Sequence, residues 1–316
     1  MKPSRYLSII GVIILVILLW RLDLGEIAQT ISRIEPVWFL LSLLTIAPIC
    51  LLRGLRWRLV IRSLGVKYSL WKSTRGYLMG MGLGSLTPGR IGNFVRVRFL
   101  QKDRSLSFER SLLTVVVDNL LDIVMLVFVA MLGVLILLIK WHVELVSKEW
   151  LIVLSVLAAV TVLSFIFRKR LLRMFEAAVL RAAFLVPVKH RQGFRHKVKT
   201  FNTMMKEMER SLLHVVLAFL VNLLNWAFVV LAGYLVARAF SLDISLLFVF
   251  AVVSVSAFVS ALPISVLGLG TREATVIFLF AFVNIPGEVG LMYSLLVAFV
   301  TTFSLAILGG VFWIRR

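Results

Sequence analysis

The sequence predicts an all-α, polytopic membrane protein of about eight transmembrane helices, with a re-entrant hairpin and a second broken-helix element. Three observations lead there. Of 316 residues, 61% are hydrophobic and only 16% charged, too apolar a balance for a chain that must cover a core with a wet surface. The apolar residues gather in runs long enough to cross roughly 30 Å of hydrocarbon. The 35 lysines and arginines, against 15 acidic residues, lie mainly between those runs, as cytoplasmic loops require. That placement also explains the formal charge of +20 without a nucleic-acid partner.

The chain reads as one membrane domain, 1–316. Lys2 and Arg5 precede an apolar run from Tyr6 to Trp20. No small-residue cleavage site follows it, so an uncleaved first span is expected. Arg21 to Glu35 carries two basic residues and three acids and reads as an outside loop. A second span, Val37 to Leu52, then runs into Arg53, Arg56, Arg58, Arg62, Lys67, Lys72 and Arg75 with no acid among them. The positive-inside rule places that segment, and both termini, in the cytoplasm.

The next stretch, about 73–100, is apolar but is followed by another basic segment. It therefore has to leave the membrane on the side it entered, as a re-entrant hairpin. Gly76, Gly80 and Gly84 recur at fourth positions and form a smooth helix stripe that a neighbouring backbone can approach. Pro88, Gly89 and Gly92 break the helix, and Arg90 with Asn93 offers donors at the break. On this reading Arg96 and Arg98, beside the basic loop, hold the hairpin at the membrane surface.

A long span, Ser111 to Ile139, carries Asp118 and Asp122 one turn apart on the same face. Each costs about 2.5–3.5 kcal/mol at a bilayer centre, so they face the bundle interior or the headgroups. They serve either as substrate contacts or as interhelical ion-pair partners. A span from Trp150 to Phe167 leads to a basic cytoplasmic segment, about 168–210. Within it Phe194, Val198, Phe201, Met205 and Met208 keep helical spacing, as in a helix resting on a membrane surface. His214 to Val236 crosses with Asn222, Asn225 and Trp226 as polar or amphipathic intrusions. Ile244 to Leu262 returns and ends at Pro263. The second broken element, about 262–283, contains Gly268, Gly270, Arg272 and Glu273 ahead of an apolar run. A last span ends at Trp313.

The two breaks share an order of features: Pro88, Gly92 and Arg96 in one, Pro263, Gly268 and Arg272 in the other. Paired interrupted helices point to a binding site shared by two halves of a transporter. Helix termini favour anions, and arginine presents a fork suited to phosphate. Candidate substrate contacts are Arg90, Asn93, Arg272, Glu273, Asp118 and Asp122. Arg272 and Glu273, adjacent in sequence, point in different directions on a helix, so each is expected to need its own partner. No cofactor or metal is expected: Cys50 is the single cysteine, the four histidines lack ligand spacing, and there is no GxxxxGK[ST] loop.

The set Leu52-Arg53-Gly54-Leu55-Arg56-Trp57, Leu86-Thr87-Pro88-Gly89-Arg90-Ile91-Gly92 and Leu262-Pro263 through Gly268-Leu269-Gly270-Thr271-Arg272-Glu273 resembles the flippase-like membrane domain of lysylphosphatidylglycerol synthases and its stand-alone relatives. The resemblance covers nearly the whole chain. It implies a lipid translocase of a bacterial or archaeal cytoplasmic membrane, moving an anionic or modified phospholipid or a polyprenyl-phosphate-linked lipid, and no aminoacyl transferase activity. Its partners would be membrane lipids with anionic headgroups, a separate lipid-modifying enzyme and further copies of the chain. Asp118-Asn119 departs from the acid-arginine pair of relatives. Two alternatives stay open: an integral transferase or hydrolase using Asp118 and Asp122 on a lipid phosphate, and a scaffold for a separate synthase.

Overall fold

In a computed structural model the described residues are 24–32, 34–85, 92–104, 106–141, 211–262, 265 and 268–315. They are helical throughout, with turns and short connections and no strand among them. The expected first span, the span from Trp150 to Phe167, the basic segment 168–210, and Pro88, Gly89, Arg90 and Pro263 lie outside the described residues.

The elements are α1 (Leu24–Ser32), α2 (Pro36–Leu44), α3 (Ile46–Arg62), α4 (Leu70–Ser85), α5 (Val95–Arg104), α6 (Phe108–Trp141), α7 (Leu212–Ala239), α8 (Leu246–Ala261), α9 (Thr271–Ala281), α10 (Gly287–Ala298) and α11 (Ser304–Ile314). One turn of π-helix, Phe299–Phe303, joins α10 to α11. Four described helical rods are long and apolar enough to cross a membrane: Pro36–Arg62, Phe108–Trp141, Leu212–Ala239 and Gly287–Ile314. Leu246–Ala261 is a shorter apolar helix. At 1.5 Å per residue the 27-residue rod is about 40 Å long, more than the hydrocarbon core needs.

Two expectations from the sequence are corrected here. The segment after Ser32 is a short connection, but Leu24–Ser32 itself is a helix rather than a loop; Leu24, Ile27, Ala28 and Ile31 recur at helical spacing. The second span does not end at Leu52. The helix runs on to Arg62 and stops at the Ser63-Leu64-Gly65 turn, where Gly65 takes φ +75°. Nothing between Leu52 and Arg62 breaks a helix, and Arg56 has acidic partners inside the bundle.

The most extensive packing joins α4 to α11, followed by α7 on α3, α8 on α6 and α3 on α4. A Cβ on Gly82 would lie 2.9 Å from the Gly310 nitrogen, and one on Gly309 would overlap the Leu78 carbonyl. Small residues thus bring the α4 and α11 backbones into contact. The main apolar core lies among α6, α7, α8, α9 and α10, where Phe248, Phe280 and Tyr293 stack in sequence.

The glycine stripe makes room for a returning segment, though it is that segment's side chains, rather than its backbone, that fill the space. A Cβ on Gly76 would meet Phe99 at 2.8 Å, one on Gly80 would meet Arg96 at 2.8 Å, and one on Gly84 would meet Asn93 at 2.6 Å. As the α4 position rises, its neighbour on the segment from Asn93 through α5 falls. The two helices therefore lie side by side and antiparallel, a helical hairpin.

Candidate functional site

The hairpin is joined to the bundle by a buried network of charges. Arg56, fully enclosed on α3, donates from Nε to Asp118 Oδ1 at 2.8 Å and from Nη1 to Asn222 Oδ1 at 2.8 Å. Its Nη1 also binds Asp122 Oδ1, and its Nη2 reaches the Tyr77 hydroxyl and Asp118 Oδ2, both at 3.4 Å. Arg96, on the returning helix, donates from Nη1 to Asp118 Oδ2 at 2.6 Å and from Nη2 to Asn119 Oδ1 at 2.9 Å. Nε of Arg96 donates to the Asn93 carbonyl, and the guanidinium lies 4.9 Å from the Tyr77 ring centre and 5.3 Å from that of Trp57. Asn222 donates back to the Leu121 carbonyl. Asp118 is wholly buried, whereas 42% of the Asp122 side chain is exposed.

Each component sits where its element must put it. Asp118 and Asp122 are four apart on α6, so both face α3. Arg96 reaches them because Gly80 leaves room for its aliphatic stem. A charge this deep is stable only with a partner and with its remaining donors filled. All three nitrogens of both guanidinium groups donate here.

The expected roles change accordingly. Arg96 is buried and paired, not a surface anchor; Arg98 is exposed. Both oxygens of Asp118 are engaged by arginine, so the two acids act as counter-charges and not as an open carboxylate pair. Asn119, where an acid-arginine pattern would place arginine, serves as an acceptor for Arg96. Asn93 lines the hairpin crossing, with its carbonyl on Arg96. Arg56 and Asn222 were not singled out as site residues. Local pattern gives no sign of Arg56's role: it stands in a run of basic residues, and only its pairing with Asp118, 62 residues away, sets it apart.

The second break forms a separate polar centre. Gly268 and Gly270 adopt φ +75° and +82°, conformations that side chains resist. They turn the chain from α8 into α9. Glu273, fully buried at the third position of α9, accepts the Gly270 N–H at 2.6 Å. Its other oxygen accepts Arg272 Nη2 at 2.7 Å, Nε at 3.1 Å and the Ser294 hydroxyl at 3.3 Å. Arg272 and Glu273 thus pair with each other, contrary to the expectation of separate partners. The long arginine side chain curls back over the first turn, while Glu273 is pinned to the N-cap. The π turn places Phe303 5.9 Å from this guanidinium.

A helical bundle with paired charges buried among membrane-length helices defines a multi-pass membrane protein. The sequence profile of the family described as "Lysylphosphatidylglycerol synthase TM region" matches residues 8–309, and the chain belongs to that family. It is similar to the UPF0104 membrane protein of Methanothermobacter thermautotrophicus, 23% identical over 90% of this chain and 86% of that one. A UPF0104 membrane protein of Methanocaldococcus jannaschii is 22% identical over 97% and 93%. One from Pyrococcus horikoshii is 29% identical over 50% of this chain and 46% of its own length.

Proposed function

We propose that the protein translocates a phosphate-bearing lipid headgroup between membrane leaflets. The observation that carries this reading is the Arg56–Arg96–Asp118–Asp122 cluster, buried among apolar helices and shared by the hairpin and two long rods. A passive anchor has no use for four ionised groups in a medium that penalises each of them. In the arrangement described, carboxylates occupy the guanidinium groups as a phosphodiester would. Asp122, the half-exposed member, is the one placed to yield its position to an incoming headgroup. The acyl chains stay in the bilayer throughout. Membership of a family named for a lipid synthase's membrane region supports a lipid as the substrate.

The test is purified protein in vesicles containing a tail-labelled fluorescent phospholipid, with an impermeant quencher reporting the outer leaflet. The parent protein should accelerate exchange over protein-free vesicles. Arg56→Gln and Arg96→Gln should each slow it about tenfold or more, since a hydrogen bond to a charged group is worth roughly 1.5–3 kcal/mol. Folded variants that exchange lipid as fast as the parent would refute the assignment, and a parent no faster than empty vesicles would refute translocation itself.

A further inference from the structure

Two cations one turn apart on α4 have different surroundings. Lys72 donates to Asp103 at 2.6 Å. Arg75, half-buried and three residues on, forms no hydrogen bond or ion pair with any described residue. Its Nε is enclosed without an acceptor, whereas Nη1 and Nη2 are not enclosed. The guanidinium carbon lies 5.8 Å from the centre of the Phe312 ring on α11, and Phe312 takes Trp71 edge-on at 5.7 Å. Arg56, Arg96 and Arg272 each have a carboxylate. Among the described residues Arg75 is the arginine with an enclosed nitrogen and nothing to receive its proton. A charged donor left in that condition is costly.

The geometry points to Arg75, with Trp71 and Phe312, as a site that holds the phosphate of one anionic phospholipid at the membrane boundary. Phe312 stands in the last turn of the membrane-length rod Gly287–Ile314. Trp71 and Trp313, both exposed, lie at the same end, and tryptophans gather where hydrocarbon meets headgroups. Toward the middle of the rod α11 exposes Ile307 and Val311, one turn apart, a surface suited to an acyl chain. An arginine that only snorkels to water presents its whole head group there; here the enclosed Nε and the aromatic face keep the guanidinium at the protein–lipid boundary. Nη1 and Nη2 form a two-pronged fork that matches two oxygens of a phosphate, and the Phe312 ring steadies its plane. Lys72 occupies Asp103, so Arg75 leaves this turn with an uncompensated positive charge. That charge favours a lipid of net negative charge over one whose phosphate is already balanced by its own ammonium. The site lies apart from the Arg56–Arg96 cluster and does not require that the bound lipid be translocated.

The experiment titrates the purified full chain in neutral detergent with palmitoyl-oleoyl phosphatidylglycerol, the matching phosphatidylcholine and inorganic phosphate, and counts bound lipids by native mass spectrometry. The parent should retain phosphatidylglycerol in preference to phosphatidylcholine, and inorganic phosphate should not displace it. Arg75→Gln should bind that lipid about tenfold or more weakly. Arg75→Lys keeps the charge but lacks the fork, and should bind it several-fold more weakly than the parent. Equal retention of phosphatidylglycerol by the parent and both variants would overturn the site. So would phosphatidylcholine binding as tightly as phosphatidylglycerol, or displacement by free phosphate. Retention lost in Arg56→Gln and kept in Arg75→Gln would place the lipid in the interior cluster and overturn it as well. Lipid exchange in vesicles is measured separately, so this site and the translocation reading can fail independently.

Discussion

Asp118→Asn isolates the buried charge network. The substitution keeps the side-chain shape and removes one negative charge from between two enclosed guanidinium groups. Arg56 would lose ion pairing at 2.8 Å and Arg96 at 2.6 Å, leaving the half-exposed Asp122 as the remaining carboxylate of the cluster. Removing one partner of a buried pair costs about 3–5 kcal/mol, because the other charge stays buried. Two arginines share this partner, so the upper part of that range is expected. With about 2–4 °C per kcal/mol for a chain of this size class, the unfolding midpoint should fall by roughly 10 °C or more. The chain supplies its own reporter. Cys50 is the only cysteine and is buried on α3, so a thiol-reactive fluorophore reads its exposure as the bundle opens. Arg96→Met in the Asp118→Asn background should recover part of the loss, since it removes one stranded charge and keeps the apolar volume. Lys72→Ala is the control: its pair with Asp103 lies at the surface, with half the lysine side chain exposed, and should matter by less than about 1 kcal/mol. If Asp118→Asn melts within that same margin of the parent, Asp118 does not hold the two arginines and the structural reasoning fails.

Other variants test the surroundings of the two centres. Gly80→Leu should drive α5 away from α4 and release Arg96 from Asp118; faster proteolysis between residues 85 and 95 would report the opened hairpin, and unchanged cleavage would argue against the glycine contact. Gly270→Ala places a side chain at φ +82° and should cost about 1–3 kcal/mol by the Cys50 assay. Stability equal to the parent would mean that this turn relaxes freely.

Much of this architecture could be read from the residues. The Gly76, Gly80 and Gly84 stripe specifies a face without side chains, and a returning helix fills it. The acids at 118 and 122 had to face inward, because lipid offers them no partner. What could not be read was which arginine would meet them. Positive-inside reasoning treats basic residues as loop markers, so it places Arg56 and Arg96 at the surface by their company of other arginines. Their burial depends on long-range pairing, 62 residues apart for Arg56 and Asp118 and 22 for Arg96 and Asp118, and local pattern carries no such information. The pairing of Arg272 with Glu273 escapes local pattern for a related reason. Helical-wheel angles place Cβ atoms, whereas a guanidinium carbon four bonds further out can return across its own turn. The Gly82 and Gly309 contact between α4 and α11, and the π turn, likewise arise from packing between distant segments.

The most direct measurement of the central claim is an experimental map of the protein in a lipid nanodisc, made at saturating phospholipid. The account predicts a lipid phosphate within about 3 Å of Arg56 or Arg96, with Asp122 turned off the guanidinium it otherwise holds. A map in which Asp122 stays on Arg56 and lipid phosphates lie only at the membrane surface would contradict it.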